Sequence, residues 1–368
     1  MDPNNKEVAH EFPPFFRLYK DGTIDRFLGT EIIPPTIDSF TGVQSKDITI
    51  SPQTGISARL FLPKTTSFTP KLPLLIYIHG GAFCIESPFS PVYHNHVSSV
   101  AAEANVVAVS IHYRRAPEHP LPIAYDDTWA SVQWVASHIK GKGPETWLND
   151  HVDFERVFLA GDSAGANLAH NTARRAAVDV LGEVKIVGMV LIHPYFGNDQ
   201  RSKLPQTFPT KLLDSLSFIS SDTSSSMTIS ELSPSSSLSL FHLSSSSFIL
   251  SAAATPPSTG LHRLKMLANR LPSSVLPPCT TLRKFLTPKC ATTNSVITNS
   301  TVLVLVVEKD GIKDRGWTYF ETLRKSGWSG AVDVVETEGE DHVFHLFNPN
   351  SENAASLLKQ MASFFNQN

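Results

Sequence analysis

The sequence predicts an α/β domain with a mostly parallel, doubly wound sheet. Three observations carry that prediction: six short β-branched runs, helix-like stretches between them, and a Gly-x-Ser-x-Gly turn at a strand-to-helix junction. The runs lie at 74–78, 106–111, 157–160, 187–192, 301–307 and 332–335. Most are apolar throughout rather than alternating, the pattern of strands covered on both faces. The stretches 90–104, 125–138, 164–178, 315–326 and 352–365 supply the covering layers. Ahead of them, 48–50 and 58–62, split by Pro52 and Gly55, predict an antiparallel hairpin. Pro13-Pro14 and Pro34-Pro35 interrupt the residues before it.

Composition narrows the function. A chain of 368 residues, 41% hydrophobic, can bury a large core. With 31 basic and 34 acidic side chains it lacks the charge excess that holds a polyanion, so no nucleic-acid partner is expected. No stretch approaches the ~20 consecutive apolar residues of a membrane span. The opening MDPNNKEVAH has no apolar core to act as a secretory signal. Cys84, Cys279 and Cys290 are too few and wrongly spaced for a disulfide framework or zinc site. A cytoplasmic, reduced setting is expected.

The segment 201–300 departs from this pattern. It holds 24 Ser and 12 Thr, with Asp214, Asp222 and Glu231 as its acids. Such a composition buries too little apolar surface to offset chain entropy, so most of it is expected to be disordered, with a possible helix at 261–271. It reads either as a low-complexity insertion or as a translated intron or frame-shifted exon, because ordered patterning resumes abruptly at Thr301.

Gly161-Asp162-Ser163-Ala164-Gly165 follows a predicted strand and opens a predicted helix, the context a nucleophile elbow requires. Its glycines allow the tight turn that lifts the Ser163 hydroxyl above the sheet, beside the positive end of the helix. A serine needs a base, and the base an orienting acid; in this fold class they follow in the order acid, then histidine. Asp310 lies just past the run 301–307, and His342 lies in the loop after 332–335. Asp314 and His345 are the alternatives: Asp314 reads better as a first-turn dipole partner, and His345 as part of the terminal helical region. His79-Gly80-Gly81-Ala82-Phe83 follows the strand 74–78 and supplies candidate oxyanion donors, the amides of Gly80 and Gly81, with Ala164 from the elbow. His79 reads as a loop-holding histidine. His94 and His96, two apart on a helix, point away from each other and read as surface residues rather than a metal pair. Trp129, Trp134 and Trp147 read as packing groups, and Arg174-Arg175 as a solvated helix face.

Together 79–83, 113–120, 161–165, 310–315 and 339–346 resemble the plant carboxylesterase class of the hormone-sensitive-lipase-like α/β-hydrolases, over roughly 15–198 and 301–365. The resemblance implies an α/β-hydrolase core in two parts, 46–200 and 301–368, an N-terminal cap at 1–45, and 201–300 standing where relatives carry cap helices. It implies a carboxylesterase acting on small esters, with Ser163 as nucleophile, Asp310 as acid, His342 as base and the Gly80, Gly81 and Ala164 amides as oxyanion hole. No cofactor or metal is needed, and oligomeric state stays open. In that family 113–120 is a structural turn, so Arg114 and Glu118 have no catalytic role. Ala82 replaces a third glycine found in many members. Three alternatives remain. Gibberellin receptors are similar but lack the histidine present here as His342. Isoflavanone dehydratases reuse the hole and base for elimination. A faulty 201–300 segment would yield an inert product.

Overall fold

A computed structural model describes residues 6–13, 15–65, 70–179, 181–196 and 300–367. The low-complexity segment, apart from Ser300, lies outside the described residues, as do the possible helix at 261–271, Cys279 and Cys290. Eight strands form the main sheet: β4 (Gln44–Ser51), β5 (Ile56–Leu62), β6 (Leu72–Ile78), β7 (Val107–His112), β8 (Val152–Asp162), β9 (Ile186–Ile192), β10 (Thr301–Val307) and β11 (Ala331–Thr337). Their order is β11-β10-β9-β8-β6-β7-β5-β4. The strands from β6 onward pair in parallel, while β5 runs antiparallel to β7 and closes the predicted hairpin with β4.

Strand β6 explains why its sequence reads as unbroken apolar residues. Leu74, Ile76 and Ile78 enter the core on one face of the sheet, and Leu75 and Tyr77 the core on the other. All five are fully buried, so neither face can carry polar alternation. On the first face lie α2 (Ile123–Ala136), α4 (Ala164–Ala176) and α5 (Lys313–Lys325), represented by Trp129, Leu168 and Tyr319. On the second lie α1 (Pro91–Ala104) and α7 (Glu352–Gln367), whose Val97 and Met361 are buried. Short helices α3 (Thr146–His151) and α6 (Phe344–Phe347) complete the described α-helices.

Two features depart from the sequence reading. Strands β1 (Val8–Phe12), β2 (Phe16–Tyr19) and β3 (Ile24–Arg26) form a separate antiparallel sheet among the residues before the hairpin. They are short and half-exposed, so their periodicity is weak. Arg26 fastens them to the body: its Nε donates to the Cys84 carbonyl at 2.6 Å, and its guanidinium grips Glu118. The second concerns α1. His94 is buried, not at the surface, because the wholly buried Arg59 donates to its Nδ1 at 3.0 Å. His96 is half-buried and packs edge-on against Tyr77 and His345.

Candidate active site

In an open parallel sheet the carboxyl ends of adjacent strands bring loops from distant parts of the chain together. Strand β8 delivers Ser163, β6 the loop 79–83, β10 Asp310 and β11 His342. Ser163 sits at φ 52°, ψ −117°, a strained elbow between β8 and α4. The flanking glycines are obligatory. A Cβ on Gly161 would lie 2.5 Å from the Gly165 carbonyl carbon, and one on Gly165 would lie 2.0 Å from the Ile78 oxygen.

Ser163 Oγ lies 3.0 Å from His342 Nε2, and His342 Nδ1 lies 2.7 Å from Asp310 Oδ2. With Nδ1–H given to the carboxylate, Nε2 is left to accept the serine hydrogen. The other Asp310 oxygen accepts the Ile312 amide at 2.9 Å, which fixes the carboxylate plane. Both His342 and Asp310 are buried. Burial by itself lowers the His342 pKa, but the charge and hydrogen bond of Asp310, with Asp162 behind, raise it overall. Asp310 shows the reverse balance. Burial raises its pKa, and the paired His342, His193 and the Ile312 amide bring it below the usual carboxylate value. The structure thus brings together the three side chains that strand order singled out. Asp314 lies in the first turn of α5. His345 is buried in α6, with neither ring nitrogen hydrogen-bonded among the described residues.

The loop 79–83 corrects one expectation. The Gly80 amide is not free: it donates to the Tyr93 hydroxyl at 2.9 Å. That hydroxyl in turn donates to Asp162 Oδ2 at 2.8 Å, and Tyr77 donates to Oδ1 at 2.9 Å. Burial raises the Asp162 pKa to about 6, with the two tyrosine hydroxyls opposing the rise. Gly80 is glycine because of this lock, since a Cβ there would meet Asp162 Oδ2 at 2.3 Å. The amides of Gly81, Ala82 and Ala164 carry no hydrogen bond among the described residues. Gly81 and Ala82 line a narrow cleft with Ser163 and His342. Tyr113 clamps the loop from behind: its ring stacks on His79 at 4.3 Å, and its hydroxyl donates to the His79 and Gly80 carbonyls. Arg114 and Glu118 are engaged in ion pairs with Asp127 and Arg26.

Three residues at the site were missed in the sequence: Tyr93, Asp162 and His193. His193 follows β9 at φ 45°, and its Nδ1 accepts the amide of Val343, next to His342, at 2.9 Å. Burial lowers its pKa to about 3, as does the charge of His342, so the ring is a neutral acceptor. A histidine ending a parallel strand was the available signal. Among the described residues no group of three or more His, Cys, Asp or Glu side chains is placed to hold a metal ion, and no helix is long and apolar enough to cross a membrane. Cys84 is buried without a disulfide, its thiol pushed up to about 12 by burial, which removes it as a nucleophile.

Known proteins share this architecture. A sequence profile described as an alpha/beta hydrolase fold matches residues 75–239. Probable carboxylesterase 5 of Arabidopsis thaliana is 41% identical over 362 residues, spanning 97% of this chain and 98% of its own length. A 2-hydroxyisoflavanone dehydratase of Glycyrrhiza echinata is 38% identical over 366 residues, spanning 98% of this chain and 97% of its own. The solved hyperthermophilic esterase of Pyrobaculum calidifontis superposes with a TM-score of 0.55 at 26% identity, covering 88% of this chain and 85% of that one. Near-complete coverage at this identity carries more than a shared fold, and the chain belongs to the plant carboxylesterase family of the α/β-hydrolase superfamily.

Proposed function

We propose that the protein is a serine carboxylesterase that hydrolyses small carboxylic esters through an acyl-enzyme. The observation that carries this reading is the unbroken line from Ser163 Oγ to His342 to Asp310, with contacts of 3.0 and 2.7 Å at the wall of a cleft. Ser163 Oγ attacks the ester carbonyl carbon as its proton passes to His342 Nε2. The imidazolium is held by Asp310. The carbonyl oxygen, now negative, faces the free amides of Gly81, Ala82 and Ala164, which shifts the hole one residue along the loop from Gly80. Collapse expels the alcohol, which takes the proton from His342. Water then gives a proton to the same nitrogen, attacks the acyl carbon and releases the acid, returning the proton to Ser163.

The geometry requires no cofactor. A cytoplasmic location is part of the proposal and rests on the few, unpatterned cysteines of the sequence. Hydrolysis of p-nitrophenyl acetate, abolished in Ser163→Ala and after organophosphate labelling of Ser163, tests the reaction. The dehydratase relative favours one second reading, elimination with His342 as base. It predicts loss of water from a 2-hydroxyisoflavanone without labelling by an acyl donor.

A further inference from the structure

A second carboxyl group borders the same cleft and has no part in the steps above. Glu86 lines the cavity beside Gly81, Ala82 and Ser163 and is 8% exposed. Its Oε2 is shut off from water with no hydrogen-bond partner among the described residues. An orphaned buried oxygen destabilises a fold. The backbone adds to that, because Glu86 sits at φ 70°, a region that glycine enters freely and other residues avoid.

The surroundings nevertheless hold the side chain in place. Arg115 Nη1 donates to the Glu86 carbonyl at 2.5 Å. Gly29 presses so closely that a Cβ on it would lie 2.4 Å from Glu86 Cα and 2.8 Å from Cδ. Burial raises the carboxyl pKa; Ser90 opposes the rise, Asp162 adds to it and Arg115 opposes it. A group shifted toward its neutral form suits a neutral donor better than a cation. An unfavourable backbone and an unmatched oxygen kept together at the edge of a cleft are the pattern of strain retained at functional sites.

We propose that Glu86 is a specificity residue whose carboxyl, turned toward the cleft about its last side-chain torsion when substrate enters, accepts the hydrogen of a hydroxyl group on the ester, so that hydroxylated esters are preferred over their plain counterparts. This rests on the hydrolase reading. Matched probes test it: p-nitrophenyl butyrate against its α- and β-hydroxy derivatives, and propyl butyrate against glyceryl monobutyrate. The wild-type kcat/KM for at least one hydroxylated ester should exceed that of its plain twin by about tenfold, the scale of one buried hydrogen bond. Glu86→Ala should bring that ratio close to one, mainly through KM. Glu86→Gln, whose amide oxygen still accepts, should retain part of it. Glu86→Gly relieves the backbone, so its thermal midpoint should hold or rise while the preference disappears. Equal rates within every wild-type pair, or a preference that survives Glu86→Ala, would overturn the proposal while leaving hydrolysis intact. A lowered midpoint in Glu86→Gly with equal losses on both members of a pair would mark a structural residue and overturn it as well. A wild-type protein that turns over none of the esters overturns both readings together.

Discussion

The Tyr93 hydroxyl links Gly80 to Asp162, accepting the glycine amide at 2.9 Å and donating to the carboxylate at 2.8 Å. Helix α1 thereby sets the height of the loop whose next two residues, Gly81 and Ala82, line the cleft with Ser163. Tyr93→Phe strands two buried polar groups, each costing about 1–3 kcal/mol when unpaired. A lower urea midpoint is expected, with kcat reduced about tenfold as the loop loosens. If Gly80 were itself an oxyanion donor, releasing its amide would preserve or raise kcat.

Asp310→Asn should reduce kcat by about 10⁴-fold, the scale of the corresponding change at the acid of a serine protease triad. Asp314→Ala, on the first turn of α5, should stay within twofold of wild type. Steady-state kinetics of the two variants distinguishes the acid from its near neighbour.

The pH profile follows from the His342 balance. Its pKa lies above the ordinary ~6.5 because Asp310 overrides the lowering effect of burial. Only the neutral ring accepts the serine proton, so kcat/KM should climb with pH through an apparent pKa above ~6.5. Removing the carboxylate charge in Asp310→Asn should move that limb to lower pH. A wild-type limb below the ordinary ~6.5 contradicts the assignment.

His193→Ala leaves the Val343 amide without its acceptor, beside His342, the proposed base. Stability should fall by about 1–3 kcal/mol, and kcat should drop more than KM changes, because the imidazole it steadies acts in the transition state. His193→Asn, which keeps an acceptor, should recover part of the loss.

Gly165→Ala should be severe. Its new methyl would sit 2.0 Å from the Ile78 oxygen, backbone that cannot rotate away. Overpacking of this kind costs about 1–3 kcal/mol, and here the upper end is expected because the contact is with backbone. The checks are the chemical denaturation midpoint and ester turnover.

Much of the catalytic line was legible because short sequence distances encode it. Gly161 and Gly165 bracket Ser163 within one turn, and strand ends locate Asp310 and His342 once the order of the chain is known. Gly80 was misread for the opposite reason: its partner Tyr93 lies on another element, and no spacing rule links an amide to a hydroxyl across a fold. His94 was misread similarly, since only the tertiary structure brings it to Arg59, a buried cation 35 residues earlier. The small β1-β2-β3 sheet escaped because three- to five-residue strands with half-exposed faces leave little periodicity.

Between β9 and β10 the sheet has a seam with a mechanical meaning. The ladder joining Thr301 to Gly188 and Leu305 to Ile192 unites the half that carries Ser163 and the loop 79–83 with the half that carries Asp310 and His342. Each half keeps its own pairing on either side, β8 with β6 and β10 with β11. The distance from Ser163 to His342 therefore depends in part on this joint, and a variant that shifts it by about an ångström is expected to lose turnover while circular dichroism still records an intact sheet.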